Sequence, residues 1–152
     1  MITLTQQNSE KTINLGNVSI ITLEEQKCKV IFNFMNPINK FGRKTPDYAY
    51  LVYNTAEQAK ESFEKILQIP LITQGFLVSE NPDNLSVVCK EAINTISVRE
   101  EKELIIFNLN FPVQGEGNTE ISKSVFWSYA STDTFESDKL TIQAAPENQY
   151  YV

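Results

Sequence analysis

Lys40-Phe41-Gly42-Arg43-Lys44 places three cations and one aromatic ring within five residues. Cations at this density attract phosphate or carboxylate, and an aromatic ring beside them can stack on a base. Tyr48, Tyr50 and Tyr53 follow closely and extend that chemistry to a candidate stacking surface. The same features have plainer readings: lysines in a solvated loop, and tyrosines that pack across strands or in a core. The corresponding stretch of the second half, Gly115-Glu116-Gly117-Asn118-Thr119-Glu120, is acidic through Glu116 and Glu120. Opposite charges in equivalent loops suit a head-to-tail contact between subunits.

Other chemistry is thinned by what the chain lacks. Its 152 residues include no histidine, the commonest general acid/base and metal ligand near neutral pH. Ser-His-Asp and Cys-His catalysis and His-ligated zinc are thereby excluded. Cys28 and Cys89 are too few for a four-thiolate site, and both sit in apolar runs as free cysteines do. Glu24-Glu25 and Glu100-Glu101 are neighbouring carboxylates that read as solvated hairpin tips. Gly115-Glu116-Gly117 lacks the third glycine and the helix of a dinucleotide loop. No catalytic residue, metal site or cofactor is expected, and the chain reads as a non-enzyme.

The net charge of −6 disfavours a general affinity for polyanions. That charge is unevenly placed: residues 1–75 carry 8 basic and 7 acidic side chains, and residues 76–152 carry 5 and 12. The start of the chain does not resemble a signal peptide, and no apolar run approaches the roughly 20 residues that span a bilayer. A cytoplasmic protein without a membrane partner is expected.

The elements that must position these residues show through a repeat. A shift of 75 lays residues 18–38 on residues 93–113 without a gap, with seven of 21 positions identical. They are Ile21/Ile96, Glu25/Glu100, Lys27/Lys102, Ile31/Ile106, Phe32/Phe107, Asn33/Asn108 and Pro37/Pro112. Each stretch is two apolar, β-branched runs around a charged tip, which predicts a hairpin. With one extra residue, the aromatic run 48–53 falls on 124–129. Asn54-Thr55-Ala56-Glu57-Gln58 then offers a helix cap, and Ala59, Phe63, Ile66 and Leu67 recur at helical spacing, predicting a helix over 55–68. In the second half Leu140, Ile142 and Ala144 alternate like a strand, so its helix is expected to be short or absent.

The fold class that follows is α+β, mainly β: a tandem duplication of a small antiparallel sheet plus helix, residues 1–75 and 76–152, packed pseudo-twofold as one folding unit. The function that follows is a structural or interaction protein partnered with itself or other subunits, as a homo-oligomer or part of a larger assembly such as a virion. The alternative is a single-stranded nucleic-acid-binding module using Lys40, Phe41, Arg43 and Lys44.

Overall fold

The computed structural model describes residues 1–6, 9–114, 121–143 and 146–152. It is α+β and mainly β. The ribbon β1 (Ile2–Gln6) and β2 (Ser9–Ile13) leads through a 3-10 turn at Leu15–Asn17 into β3 (Val18–Glu24) and β4 (Lys29–Phe34). A second ribbon, β5 (Ile38–Lys40) and β6 (Arg43–Thr45), precedes β7 (Tyr48–Val52) and helices α1 (Ala56–Ile66) and α2 (Pro70–Gly75). The second half runs β8 (Phe76–Leu77), β9 (Ser86–Cys89), β10 (Ile93–Arg99), β11 (Leu104–Gln114), β12 (Ile121–Ser128) and α3 (Thr132–Ile142). Every strand pair is antiparallel, in a five-stranded sheet ordered β7-β4-β3-β9-β8, a three-stranded sheet β10-β11-β12, and the two ribbons.

The predicted hairpins form as β3–β4 and β10–β11, and they match in detail at the shift of 75. Each has a register slip two residues into its first strand, between Val18 and Ile20 and between Ile93 and Thr95. Each turns through a left-handed residue, Cys28 at φ 53° and Glu103 at φ 47°. Past the aromatic strand, the Tyr53 hydroxyl meets Ser62 Oγ at 2.5 Å, and the Tyr129 hydroxyl meets Asp138 Oδ2 at the same distance. Both pairs join a strand end to the helix nine residues on.

The halves meet where β3 pairs β9, through Ile20↔Val88, Ile21↔Val87 and Thr22↔Ser86. Because successive side chains of a strand face opposite ways, this seam feeds two cores. Ile21, Leu23 and Val87 enter the first, with Val30, Phe32, Leu51, Phe63, Ile66 and Ile72. Ile20 and Val88 enter the second, with Ile105, Phe107, Leu109, Trp127 and Phe135. The second sheet thus lies on the back of the first. The expected twofold packing would have β10 pair β2 as β3 pairs β9, and the structure does not bear it out. Among the described residues β10 pairs β11 and β2 pairs β1.

Helix α1 starts as its sequence predicts, with Thr55 Oγ1 accepting from Gln58 N–H and Gln58 Oε1 accepting from Asn54 N–H. Its apolar stripe of Ala59, Phe63 and Ile66 is buried against the first core. The short α2 follows immediately, nucleated by Pro70 in its first turn. The expectation of a short or absent second helix is corrected, since α3 has 11 residues, as many as α1. Phe135 is buried beside Tyr129 with ring centroids 5.3 Å apart, and Asp138 is 2% exposed. Those two anchors, one turn apart, outweigh the strand-like alternation of the tail. Cys28 and Cys89 are free thiols.

The layering predicts unequal costs at cross-strand neighbours of the second sheet. Phe107→Ala removes a buried ring packed edge-on to Trp127 at 4.6 Å and is expected to cost about 3–5 kcal/mol. Phe126→Ala, on the exposed face of the same sheet, is expected to change stability by no more than about 0.5 kcal/mol. Urea unfolding followed by tryptophan fluorescence measures both, and similar costs would contradict the assigned facing of β11 and β12.

Candidate functional site

The β5–β6 ribbon closes through a two-residue turn between the paired residues Lys40 and Arg43. Phe41 at φ 51° and Gly42 at φ 75° both adopt the left-handed conformation that such a turn demands. Glycine meets that demand freely. The Phe41 side chain is fully exposed at the tip and Arg43 is exposed beside it. Lys40 and Lys44 lie on the two strands of the ribbon.

Pro46 and Asp47 carry the chain from the ribbon to β7, whose start is fixed by Phe34 N–H donating to the Asp47 carbonyl at 2.8 Å. Strand alternation then sorts the tyrosines. Tyr48 and Tyr50 face outward at 40% and 41% exposure, and Val52 continues that face. Leu51 and Tyr53 face the other way, Tyr53 packing on the first core with its hydroxyl engaged by Ser62. The structure therefore brings Tyr48 and Tyr50 together, ring centroids 6.3 Å apart and planes inclined by 29°, and sets Tyr53 apart from them.

Two lysines that sequence reasoning missed complete this surface. Lys29 lies cross-strand from Val52 on β4, and its Nζ sits 4.6 Å from the Tyr50 ring centroid. Lys11, from β2, places its Nζ 5.5 Å from the same centroid and donates to the Tyr50 carbonyl at 2.9 Å. Lys29 was findable, because pairing residues 29–33 with 48–52 puts it on the tyrosine face. Lys11 was not, because only tertiary packing brings β2 beside β7.

The corresponding face of the second half lacks these groups. In the same register, Ser124, Phe126 and Ser128 stand where Tyr48, Tyr50 and Val52 stand, and Leu104 takes the place of Lys29. Among the described residues this pairing of lysines with outward tyrosines is found in the first half. The acidic counterparts Glu116 and Glu120 lie outside the described residues.

A second polar cluster lies within the second half. Buried Asp138 accepts from Ser79 Oγ at 2.6 Å, from Glu80 N–H at 2.9 Å and from the Tyr129 hydroxyl. Asn81 and Asn84 bond the carbonyl and N–H of Ser128, so the segment between β8 and β9 is fastened to both α3 and β12. Burial, then the hydrogen bond to the Asp138 carboxylate, pushes the Tyr129 phenol well above its ordinary value of 10. The cluster thus holds a protonated phenol, suited to fixing position. No group of three or more His, Cys, Asp or Glu among the described residues is placed to hold a metal, and no helix among them is long and apolar enough to cross a membrane.

Because its folded-state value is raised, Tyr129 favours the folded chain below pH 10, and that contribution is lost progressively as pH rises beyond it. Urea midpoints measured from pH 8 upward are expected to fall above about pH 10, and to fall less steeply in Tyr129→Phe. Equal slopes in the two proteins would remove Tyr129 as the cause.

No protein-family model matches the chain, and comparison with curated proteins gives no match. Among solved structures it is similar to the LytTr DNA-binding domain of a Bacillus cereus protein described as a methyl-accepting/DNA response regulator. The identity is 13% and the TM-score 0.48, over 91% of this chain and 94% of that one. Against the expectation of a structural or interaction protein, forming a homo-oligomer or part of a virion, the structure found similar is described as a DNA-binding domain. The acidic loop on which that expectation drew lies outside the described residues.

Proposed function

We propose that this chain is a non-enzymatic module that binds single-stranded nucleic acid across the outer face of β7 and the β5–β6 ribbon. The observation that carries the reading is the paired, exposed Tyr48 and Tyr50 with the Lys29 and Lys11 ammonium groups beside the Tyr50 ring. Bases stack on such rings whatever their sequence, and the flanking phosphates then meet fixed cations. Arg43, exposed beside the ribbon's turn, continues the positive surface away from β7. The reading includes a cytoplasmic site of action. We also read the two halves as copies of one ancestral unit, a view supported by the matched register slips and left-handed turn residues.

The two tyrosines do not need exposure for stability. Outward aromatic rings on an edge strand forgo burial that they could have had on the other face, as Tyr53 has. Their placement is accounted for by a planar partner.

Titration of a fluorescent oligonucleotide of about twelve nucleotides, in about 20 mM and then about 200 mM salt, tests the reading. Binding is expected at low salt and is expected to weaken with a log–log slope of about −2 to −3.5, for three to five phosphates met. Tyr50→Ala is expected to weaken binding about 5- to 150-fold, the range for one lost stacking contact. Lys29→Ala is expected to make the salt slope shallower by about 0.7. Absence of binding at low salt in the folded protein ends this reading.

A further inference from the structure

Phe41 is the residue of this surface that the fold itself does not explain. It occupies the first central position of a tight turn, at φ 51°, where asparagine, aspartate or glycine fit best. Its side chain is fully exposed, so no burial compensates for the strained backbone. A bulky residue held in the left-handed region without an internal contact points to a contact made outside the chain. The turn caps a narrow two-stranded ribbon carrying Lys40, Arg43 and Lys44. That combination has a recognisable mechanical form: a two-stranded ribbon fits the major groove of a duplex, and an apolar side chain can be driven between base steps.

We propose that the β5–β6 ribbon is a wedge for a junction where a nucleic-acid duplex opens into a single strand, with Phe41 seated against the last base pair. This rests on the single-strand reading and names its substrate class. The chain length allows it, since Tyr48 lies seven residues on from Phe41, a stretch that spans at most about 25 Å. A strand leaving the opened pair therefore reaches Tyr48 and Tyr50 within a few nucleotides. The ribbon's cations meet the phosphates on either side of the junction, and the tyrosines take the unpaired bases.

The experiment compares three labelled probes at about 20 mM salt: a duplex with an overhang of about six nucleotides, the overhang strand alone, and the blunt duplex. The overhang duplex is expected to bind at least about tenfold more tightly than either other probe. A 2-aminopurine at its last pair is expected to brighten on binding as it unstacks. Phe41→Asn, a residue that suits the left-handed turn, is expected to keep or raise the melting temperature. It is also expected to reduce the overhang duplex to the affinity of the single strand and abolish the brightening. The wedge is overturned if Phe41→Asn keeps the preference, or if the natural chain binds the overhang duplex no better than the strand alone. In both of those outcomes single-strand binding persists and the parent reading stands. Failure of every probe to bind removes both.

Discussion

The pairing of β3 with β9 sets the layout of the whole molecule. A strand pair has two faces, and here each face belongs to a different core: Ile21 and Val87 close the first, Ile20 and Val88 found the second. A unit of about 75 residues buries too little of its surface to be secure, whereas one of about 150 buries roughly 70%. The seam is how this chain crosses that threshold. It gives the second sheet an apolar floor that its own strands do not provide, and it gives the first sheet a cover for its back. Trp127 marks the join, with its ring buried in the second core and its indole N–H donating to the Ser86 carbonyl on β9 at 2.9 Å.

The polar cluster around Asp138 follows from that arrangement. Pairing β9 with the first half forces the segment 78–85 to run back across the second half, and its polar groups become half-buried there. Buried polar groups need partners, and the Asp138 carboxylate, with two oxygens and several acceptor sites, satisfies Ser79, Glu80 and Tyr129 together. In the first half the equivalent helix position is Ser62, which meets Tyr53 alone among the hydrogen bonds described. The difference matches the task. Only two residues of sequence lie between β1 and β2, against eight between β8 and β9.

Much of this was legible in the residues because it is local. The hairpins were written in alternating β-branched runs around charged tips, and α1 in a capping pair followed by a helical stripe. What was not legible depends on neighbours. Repeat similarity says that two units are alike and says nothing about which edges they join, so the twofold expectation had no residue-level support and the one-directional seam replaced it. Helix α3 was hidden because Thr141 and Ile142 suit a strand locally, while the bonds of Asp138 and the burial of Phe135 decide the matter from outside. At the surface, Tyr48 and Tyr50 could be read from the sequence, the parity that separates Tyr53 needed the strand assigned, and Lys11 needed the fold.

The charge distribution gains a physical meaning from the same comparison. Exposed charges more than about 8–10 Å apart are largely screened at physiological salt, so a net charge of −6 is felt at a distance only at low salt and does not set what happens at contact. What an anionic ligand meets at contact is the set of side chains on one face. On the first half that set is Lys11, Lys29, Arg43 and two outward tyrosines. On the second half the matching positions hold Ser86, Leu104 and Phe126, and the shared features there are the bulge, the turn and the buried rings. The two halves agree in the hairpin bulge, the left-handed turn residue and the buried rings, and they differ on this outer face. That outer face is open to solvent in both halves: the first sets the ammonium groups of Lys11 and Lys29 beside the Tyr50 ring, whereas the second has the exposed Phe126 ring with Ser86 and Leu104 at the matching positions, which bring no charge to it.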